Sequence, residues 1–538
     1  MAYARIKIMK TGIIPMTQSG AILGRPGQYK SPPFLMMPGN PVIEEVTLYD
    51  FQVNEILEPE DLNNIPEDYG KELVVVSQRT AKAYTYYCDL DADADWDDTP
   101  MWDGSKTAEK KACLEARNMT GDGSRENPWK NLTYALEQLQ CFVETQCCRY
   151  IRLVCTGTAH YTACAYSSVT YRNTDFSGNG IFILYGANME LSRDGSGGNF
   201  FSYCFETCKN SIFYNCTARW KNEASNASAY PILYGFNECD NSTFYNCTAE
   251  VECDLLKSVS CFEACENSIF YNCTAKATTK ASSGHSFGAN LYGFRSCDNS
   301  IFYNCTATVR NVSGDTASNS YLYGFCNCDN STFYNCTANV ESNYTDSYAY
   351  LYGFCNCDNS VFYNCTAEAA TTEEINSNAK VYGFYNCSNN ILYNCTAKAT
   401  AERRSRFAYG FYNCQNSTFY GCTAEAESNY DYGDDTQAYA YGFHSCSNST
   451  FYGCTAIAEC SYTNAHTCVA FAYGFYNYSN NSSILENFTY SVSAAAKSIP
   501  DSFGNFKDHE EECGIHQNFS CIAGYRCEIR TKSGTESC

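Results

Sequence analysis

Three sets of residues have types and spacings that could do chemistry. The densest is Asp89-Leu90-Asp91-Ala92-Asp93-Ala94-Asp95-Trp96-Asp97-Asp98, six carboxylates in ten residues. Alternating Asp supplies hard oxygen ligands at positions 1, 3 and 5 of a calcium loop, which makes Asp89, Asp91, Asp93 and Asp95 the candidate calcium ligands. No Asp of the run is followed by both Gly at position 6 and Glu at position 12, so a solvated acidic linker accounts for it more simply. A second set, Asp240, Asp298, Asp329 and Asp358, recurs once per sequence repeat, each directly before an Asn. Asp298, Asp329 and Asp358 fall in successive repeats, where neighbouring carboxylates could serve as acid and base. Other repeats carry Lys209, Glu266, Ser388, Gln415 and Ser447 at that place, which is the tolerance of a turn. The third set is tyrosine: Tyr214, Tyr245, Tyr271, Tyr303, Tyr334, Tyr363, Tyr393, Tyr420 and Tyr452 each follow a residue expected to point inward. Alternation turns them outward in one column, to stack on sugar rings, to bury against a second protomer, or to stack on each other.

The elements that position these residues come from one repeat. Between about 201 and 490 a unit close to Tyr-Gly-Phe-x-x-Cys-x-Asn-Ser-x-Phe-Tyr-Asn-Cys-Thr-Ala-x-Ala/Val recurs ten times. Its first Cys falls at Cys208, Cys239, Cys265, Cys297, Cys328, Cys357, Cys387, Cys414 and Cys446, with Tyr478 there in the last unit. A helical repeat would need apolar residues at i, i+3, i+4 and i+7. Here Cys247-Thr248-Ala249-Glu250-Val251 alternates small apolar with polar, and period two means strand. The residue before that strand is Asn215, Asn246, Asn272, Asn304, Asn335, Asn364 and Asn394, then Gly421 and Gly453. Asn and Gly share tolerance of positive φ, so a tight left-handed bend is expected there. A second Asn column, Asn210, Asn241, Asn267 and onward to Asn480, is expected to stack its amides along the axis. Alternation cannot turn both Leu233 and Phe236 inward, so Gly235 marks a bend or bulge; Cys204 and Cys261 replace that Gly in two units.

A solenoid of such coils resembles the right-handed parallel β-helix superfamily of pectate-lyase-like enzymes, surface adhesins and phage tailspikes. The resemblance covers about residues 120–490 and includes the Asn bend and the entry segment Gly121-Asp122-Gly123-Ser124 with Asn127-Pro128-Trp129. It implies an all-β rod of about ten coils, roughly 48 Å long at about 4.8 Å per rung. It also implies that stacked carboxylates can form acid–base or calcium sites, as in β-helix lyases and hydrolases. The segment 131–146 has apolar residues at helical spacing, suited to a helix that plugs the open end, and Ile151–Val154 reads as the first strand. Residues 1–85 are expected to form a small β-rich attachment or assembly domain with strands at Arg5–Met9, Val42–Phe51 and Glu72–Ser77. An acidic linker follows at 86–119, the cap helix and first irregular coils at 120–200, the regular coils at 201–490, and a Cys-containing cap or tail at 491–538.

Cysteine count and charge bound the function. The chain of 538 residues has 36 Cys and a formal charge of −23. That acidity argues against nucleic acid, which needs clustered Lys and Arg. No stretch is apolar enough to span a bilayer. The cysteines point to an oxidising exterior, while Lys10, Thr11, Gly12 and Pro15 interrupt the first residues too often for a secretory signal. Within the coils, Cys208 with Cys216, Cys239 with Cys247, and Cys297 with Cys305 are candidate disulfides, or reduced apolar fillers. Cys513, Cys521, Cys527 and Cys538 lack zinc spacing and read as a terminal disulfide cluster. Asn226, Asn311 and Asn343 are the glycan acceptors expected in loops. The six His form no ligand pattern. An enzyme site breaks a repeat locally, and this array is monotonous. The expected function is a non-enzymatic structural or adhesive protein of a cell surface, extracellular filament or virion. It would form homo-oligomers or bind glycans, without a resident cofactor. A polysaccharide lyase or hydrolase and a self-polymerising fibre subunit are the alternatives.

Overall fold

The computed structural model describes residues 41–53, 74–91, 121–132, 135–136, 138–139, most of 150–476 outside the segments that close each coil, and short strands between 484 and 537. Strands β1 (Val42–Val53), β2 (Val74–Asp89) and β3 (Tyr150–Thr156) begin the architecture. From β3 onward the chain winds through three parallel sheets in turn. They hold 14, 12 and 11 strands, the first including β1 and β2. One coil runs through Thr332–Tyr334 in the first sheet, Thr337–Ser342 in the second and Ala349–Cys355 in the third. Two coils of the second sheet, Thr158–Ala163 and Asn188–Arg193, precede the first regular one at Thr217–Asn222. The fold is thus the parallel β-helix that the repeat implied.

The core follows from which residues the period turns inward. Phe333 stacks on Phe302 and Phe362 at 4.7 and 4.6 Å, within 4° of parallel. Phe325 and Phe354 of the third sheet meet its edge at 5.6 and 5.5 Å, 84° and 82°. Two Phe ladders therefore run at right angles to each other down the rod, a geometry that satisfies ring quadrupoles in both directions. Ala249, Val251 and their equivalents fill the side facing the second sheet. On the outside of that sheet charges alternate along the axis: Arg219 bridges Glu190 and Glu250 at 3.5 and 3.0 Å, and Lys276 reaches Glu250 at 2.7 Å. Lys276 is exposed and the other three are half-buried at the surface, where such pairs contribute little to stability.

Three residues per coil take positive φ at the corners. The expected bend is present: Asn335 has φ 51°, and Gly421 and Gly453 in the same column have 57° and 60°. The Asn210 column is also left-handed, with Asn330 at 54°. The amide chain expected along it instead runs through the neighbouring columns. Asn335 Nδ2 donates to Asn304 Oδ1 at 3.1 Å, and Asn356 Nδ2 to Asn327 Oδ1 at 3.2 Å. Behind the Asn210 column a buried serine row was missed: the Ser300 N–H donates to Ser331 Oγ, and the Ser331 N–H to Ser360 Oγ, each at 3.0 Å. The Gly bulge is present. Pairing steps from Tyr234↔Ser260 to Phe236↔Phe262, and a Cβ on Gly353 would sit 2.6 Å from Gly383 O and 2.7 Å from Ala367 Cβ. In the coils from Thr217–Asn222 to Thr455–Tyr462 the segments of variable length lie between the second and third sheets.

At the N-terminal end β1 and β2 extend the first sheet of the rod. β1 and β2 pair antiparallel, but β2 then pairs parallel with β3 from Ala83↔Tyr150 to Asp89↔Thr156. The boundary expected at residue 85 falls inside β2, and the expected linker begins as buried strand, with Tyr86 and Cys88 in the core. In the expected cap segment, Leu132, Ala135, Leu136 and Leu139 are helical and buried in the same core, and the Ala135 N–H donates to Asn131 O at 3.0 Å. The expected strand at 5–9 lies outside the described residues, as does the four-cysteine cluster at 513–538.

Candidate functional site

The acidic column is tied into the corner it occupies. Asp298 Oδ1 accepts the Asp329 N–H at 2.9 Å, Asp329 Oδ1 the Asp358 N–H at 2.8 Å, and Asp358 Oδ1 the Ser388 N–H at 2.7 Å. Asp240 accepts from Lys209 Nζ at 2.8 Å and from the Glu266 N–H at 3.1 Å. Burial raises the carboxyls of Asp298 and Asp358 above the usual range. One oxygen of each therefore serves as a rung-to-rung acceptor. The acidic run begins the same way: Asp91 Oδ1 accepts the Thr158 N–H at 2.9 Å and Asp89 Oδ1 the Asp91 N–H at 3.2 Å. Asp93 and Asp95 lie outside the described residues. No group of three or more His, Cys, Asp or Glu placed to hold a metal ion occurs among the described residues.

The cysteines differ from the disulfide expectation. Cys208, Cys216, Cys239, Cys247, Cys297 and Cys305 are free and buried, like every cysteine whose side chain is described. The reason is geometric: the two Cys of a unit flank one short first-sheet strand, such as Thr243–Tyr245 between Cys239 and Cys247, and enter two separate corner columns. Each thiol leans on a backbone carbonyl instead, as Cys247 Sγ does on Phe213 O and Tyr245 O at 3.5 Å. Burial pushes the thiols of Cys247, Cys357, Cys387 and Cys414 well up. These are apolar fillers rather than nucleophiles.

The tyrosine column does stand outside the coil, yet it is not an open stripe. Tyr245, Tyr334, Tyr363 and Tyr393 are at most 3% exposed, and Tyr214, Tyr271, Tyr303 and Tyr452 are half-buried. With Ile212, Ile269 and Ile301 they form a second apolar cluster that also takes in Val46 and Leu48 of β1. The Tyr214 hydroxyl donates to Thr47 O at 2.9 Å, so the β1–β2 hairpin folds over the head of this face. Most of the rings stack on each other, as Tyr363 does on Tyr393 at 4.9 Å and 1°. The faces of the stacked rings are turned to one another rather than to solvent. Asn311 is also corrected as a glycan acceptor: it is 2% exposed, with Nδ2 donating to Ser320 Oγ at 3.3 Å. Asn226 and Asn343 lie outside the described residues.

The sequence reading missed a second tyrosine column, on the outside of the third sheet. Tyr323 stacks on Tyr352 at 4.9 Å, Tyr352 on Tyr382 at 5.1 Å, and Tyr382 on Tyr409 at 4.9 Å. Tyr385, Tyr412 and His444 meet these rings edge-on, and burial lowers His444 to about 4. The Tyr-Gly-Phe motif carried this signal. Because the bulge turns both Gly and Phe inward, the Tyr before them is the outward residue.

One rung breaks this column. Tyr203 and Tyr234 stack at 4.8 Å, Tyr292 and Tyr323 at 4.7 Å, but the register runs Tyr234↔Ser260↔Tyr292. Two rungs, about 9.6 Å, therefore separate Tyr234 from Tyr292. The Arg295 guanidinium lies 4.5 Å from the Tyr292 centroid. Tyr323 covers the other face of that ring, so the guanidinium is in the gap. Its Nη1 pairs with Glu263 Oε1 at 3.4 Å. Burial raises the Glu263 carboxyl to about 7, against the hydroxyl of Ser260 and the charge of Arg295, which favour its ionised form. Glu263 Oε2 and Arg295 Nε are buried without hydrogen-bond partners, and Ser260 is fully buried beside them without a bond of standard geometry. Buried polar groups are rarely left open, and perturbed carboxyls concentrate at functional sites. This niche, rather than the Asp column, is where the repeat departs from itself.

No family model matches the sequence, and no curated protein matches it. Among solved structures, the chain is similar to the periplasmic alginate epimerase AlgG at 10% identity, covering 64% of this chain and 77% of that one with a TM-score of 0.20. It is also similar to the A-module of the Azotobacter vinelandii mannuronan C-5 epimerase AlgE4, at 10% identity, covering 65% of this chain and 95% of that one with a TM-score of 0.23.

Proposed function

We propose that the chain is a non-enzymatic structural and adhesive β-helix rod of a cell surface, extracellular filament or virion, which meets glycans through its third sheet. One observation carries the reading. The residues repeated in every coil are spent on the rod itself, the Asp oxygens on the next rung's N–H and the Tyr faces on the next ring. In the third-sheet column Tyr352, Tyr382, Tyr409 and Tyr441 are at most 8% exposed, so contact with a partner falls on the half-buried rings of that face, such as Tyr321, Tyr323 and Tyr350. Its spacing of about 5 Å suits an extended polymer laid along the axis.

The test pairs binding with turnover. The full chain is run through gels containing neutral or acidic polysaccharides, while released reducing and unsaturated sugar ends are followed in solution. Retardation without turnover is expected. Reproducible turnover that disappears in Asp329→Ala would replace this reading with a polysaccharide lyase or hydrolase.

A further inference from the structure

We infer that the two inward cysteine columns make the winding of the rod a reduction-gated step. The coils close only while these thiols are reduced, and once closed they seal the thiols against oxidation. The inference goes beyond the surface-rod reading above and holds whatever the rod binds.

One column runs from Cys208 to Cys446 and the other from Cys216 to Cys454, one sulfur of each per coil, and every one of these residues is at most 3% exposed. Neighbouring rungs bring the sulfurs into contact: the Cys273 thiol meets those of Cys247 and Cys305, and the Cys265 thiol those of Cys239 and Cys297. The fold uses the thiol form. Cys305 Sγ donates to Phe270 O of the preceding coil at 3.3 Å, and Cys336 Sγ to Phe302 O at 3.5 Å. A disulfide has no proton to give. It also fits the coil badly. Adjacent rungs set Cβ atoms about 4.8 Å apart on parallel vectors, wider than the roughly 3.8 Å of a relaxed disulfide, and alternate rungs, about 9.6 Å apart, are out of reach. A bond closed in the unwound chain therefore ties together points that the coil holds apart, so oxidation and winding compete for the same cysteines. The wound state is the protected one. Burial holds the Cys247 and Cys273 thiols well above their ordinary range, and disulfide exchange needs a thiolate.

The corner tripeptide points to the same order of events. Asn335-Cys336-Thr337 is an N-glycan acceptor sequence that recurs on successive rungs from Asn215 to Asn394. Asn335 Nδ2 is committed to Asn304 Oδ1 at 3.1 Å, and acceptors about 4.8 Å apart leave no room for a glycan on each. A rod wound in a reducing, non-glycosylating compartment meets neither reaction. Its sealed thiols then survive transfer to an oxidising exterior.

The test is the order in which oxidant and winding meet. The full chain is translated in a cell-free system containing either dithiothreitol or glutathione disulfide, and the wound product of the reducing reaction is afterwards given the same glutathione disulfide. In the oxidation two cysteine thiols and one glutathione disulfide become one protein disulfide and two molecules of glutathione. Winding is read as protease-resistant product with β-sheet circular dichroism, and disulfides are mapped on unreduced peptides. Oxidant present during synthesis should lower the wound product tenfold or more, with column cysteines among the mapped bonds and recovery on later addition of dithiothreitol. Oxidant added to the wound rod should leave its structure unchanged and its columns unbridged. Equal yields in the two reactions overturn the gate, as does a wound rod that carries column disulfides or one that loses its structure to late oxidant. If the bonds of the failed product involve only cysteines outside the columns, the assignment to the columns falls.

Discussion

Asn335 offers the sharpest test of how the coil turns. Its φ of 51° is left-handed, its N–H donates to Tyr363 O at 2.9 Å, and its amide reaches Asn304 Oδ1 at 3.1 Å. Replacement by Ala keeps the backbone bond, loses an exposed amide bond of roughly 0.5 kcal/mol, and puts a Cβ into a conformation that costs about 1–2 kcal/mol. The sum is about 2 kcal/mol. Replacement by Gly loses the same amide bond and about 0.5–1 kcal/mol through a freer unfolded chain, with no φ penalty, so about 1 kcal/mol in all. The column itself contains this variant at Gly421 and Gly453. Rods of this kind open locally and not as one unit. The assay is therefore amide hydrogen exchange, read in Thr332–Tyr334 and Thr337–Ser342. Protection should fall about 30-fold in Asn335→Ala and about fivefold in Asn335→Gly. Equal losses, or a larger one for Gly, would mean that the amide chain and not backbone handedness selects Asn at the corner.

Three further outcomes follow from the same geometry. Phe333→Ala removes a ring sandwiched by two others and edged by two more, so it should cost about 3–5 kcal/mol; exchange should rise in the rungs on either side and leave distant coils unchanged. At most 12 of the 36 cysteines should react with a thiol reagent in the native protein, since the 24 described are buried and free, whereas all 36 should react in denaturant under non-reducing conditions if none is bridged. Glu263 has a folded-state pKa of about 7 against 4.5. Its contribution is fully present below pH 4.5 and is lost as pH rises through 7, by at most about 3 kcal/mol. Glu263→Gln should flatten the stability profile in that window, and an unchanged profile would place the titration elsewhere.

The period-two stretch and the corner Asn were legible because each is a local backbone requirement repeated in every coil. Cys247-Thr248-Ala249-Glu250-Val251 could satisfy only a strand with one small-residue face inward. The third-sheet tyrosines were less visible because the bulge breaks alternation just where they occur, and Gly235 had to be placed before Tyr234 could be. The niche left a trace: Cys261 stands where flanking coils carry Gly, one residue after a Ser that stands for Tyr. What joined it to Glu263 and Arg295 was the reach of side chains across rungs, which sequence spacing does not encode. The cover over the Tyr214 column depends on β1, more than 160 residues away in the chain, and no periodicity within the repeat reports such a contact.

Placing the variable segments of the regular coils between the second and third sheets gives that part of the rod a single seam. Two such segments n coils apart emerge about 4.8n Å from each other, a spacing set by the ladders and indifferent to what the segments contain. The seam is a ruled display track. Short recognition sequences carried there would meet a repetitive surface in step, and their joint avidity would be governed by how closely that surface's own repeat matches the rung distance.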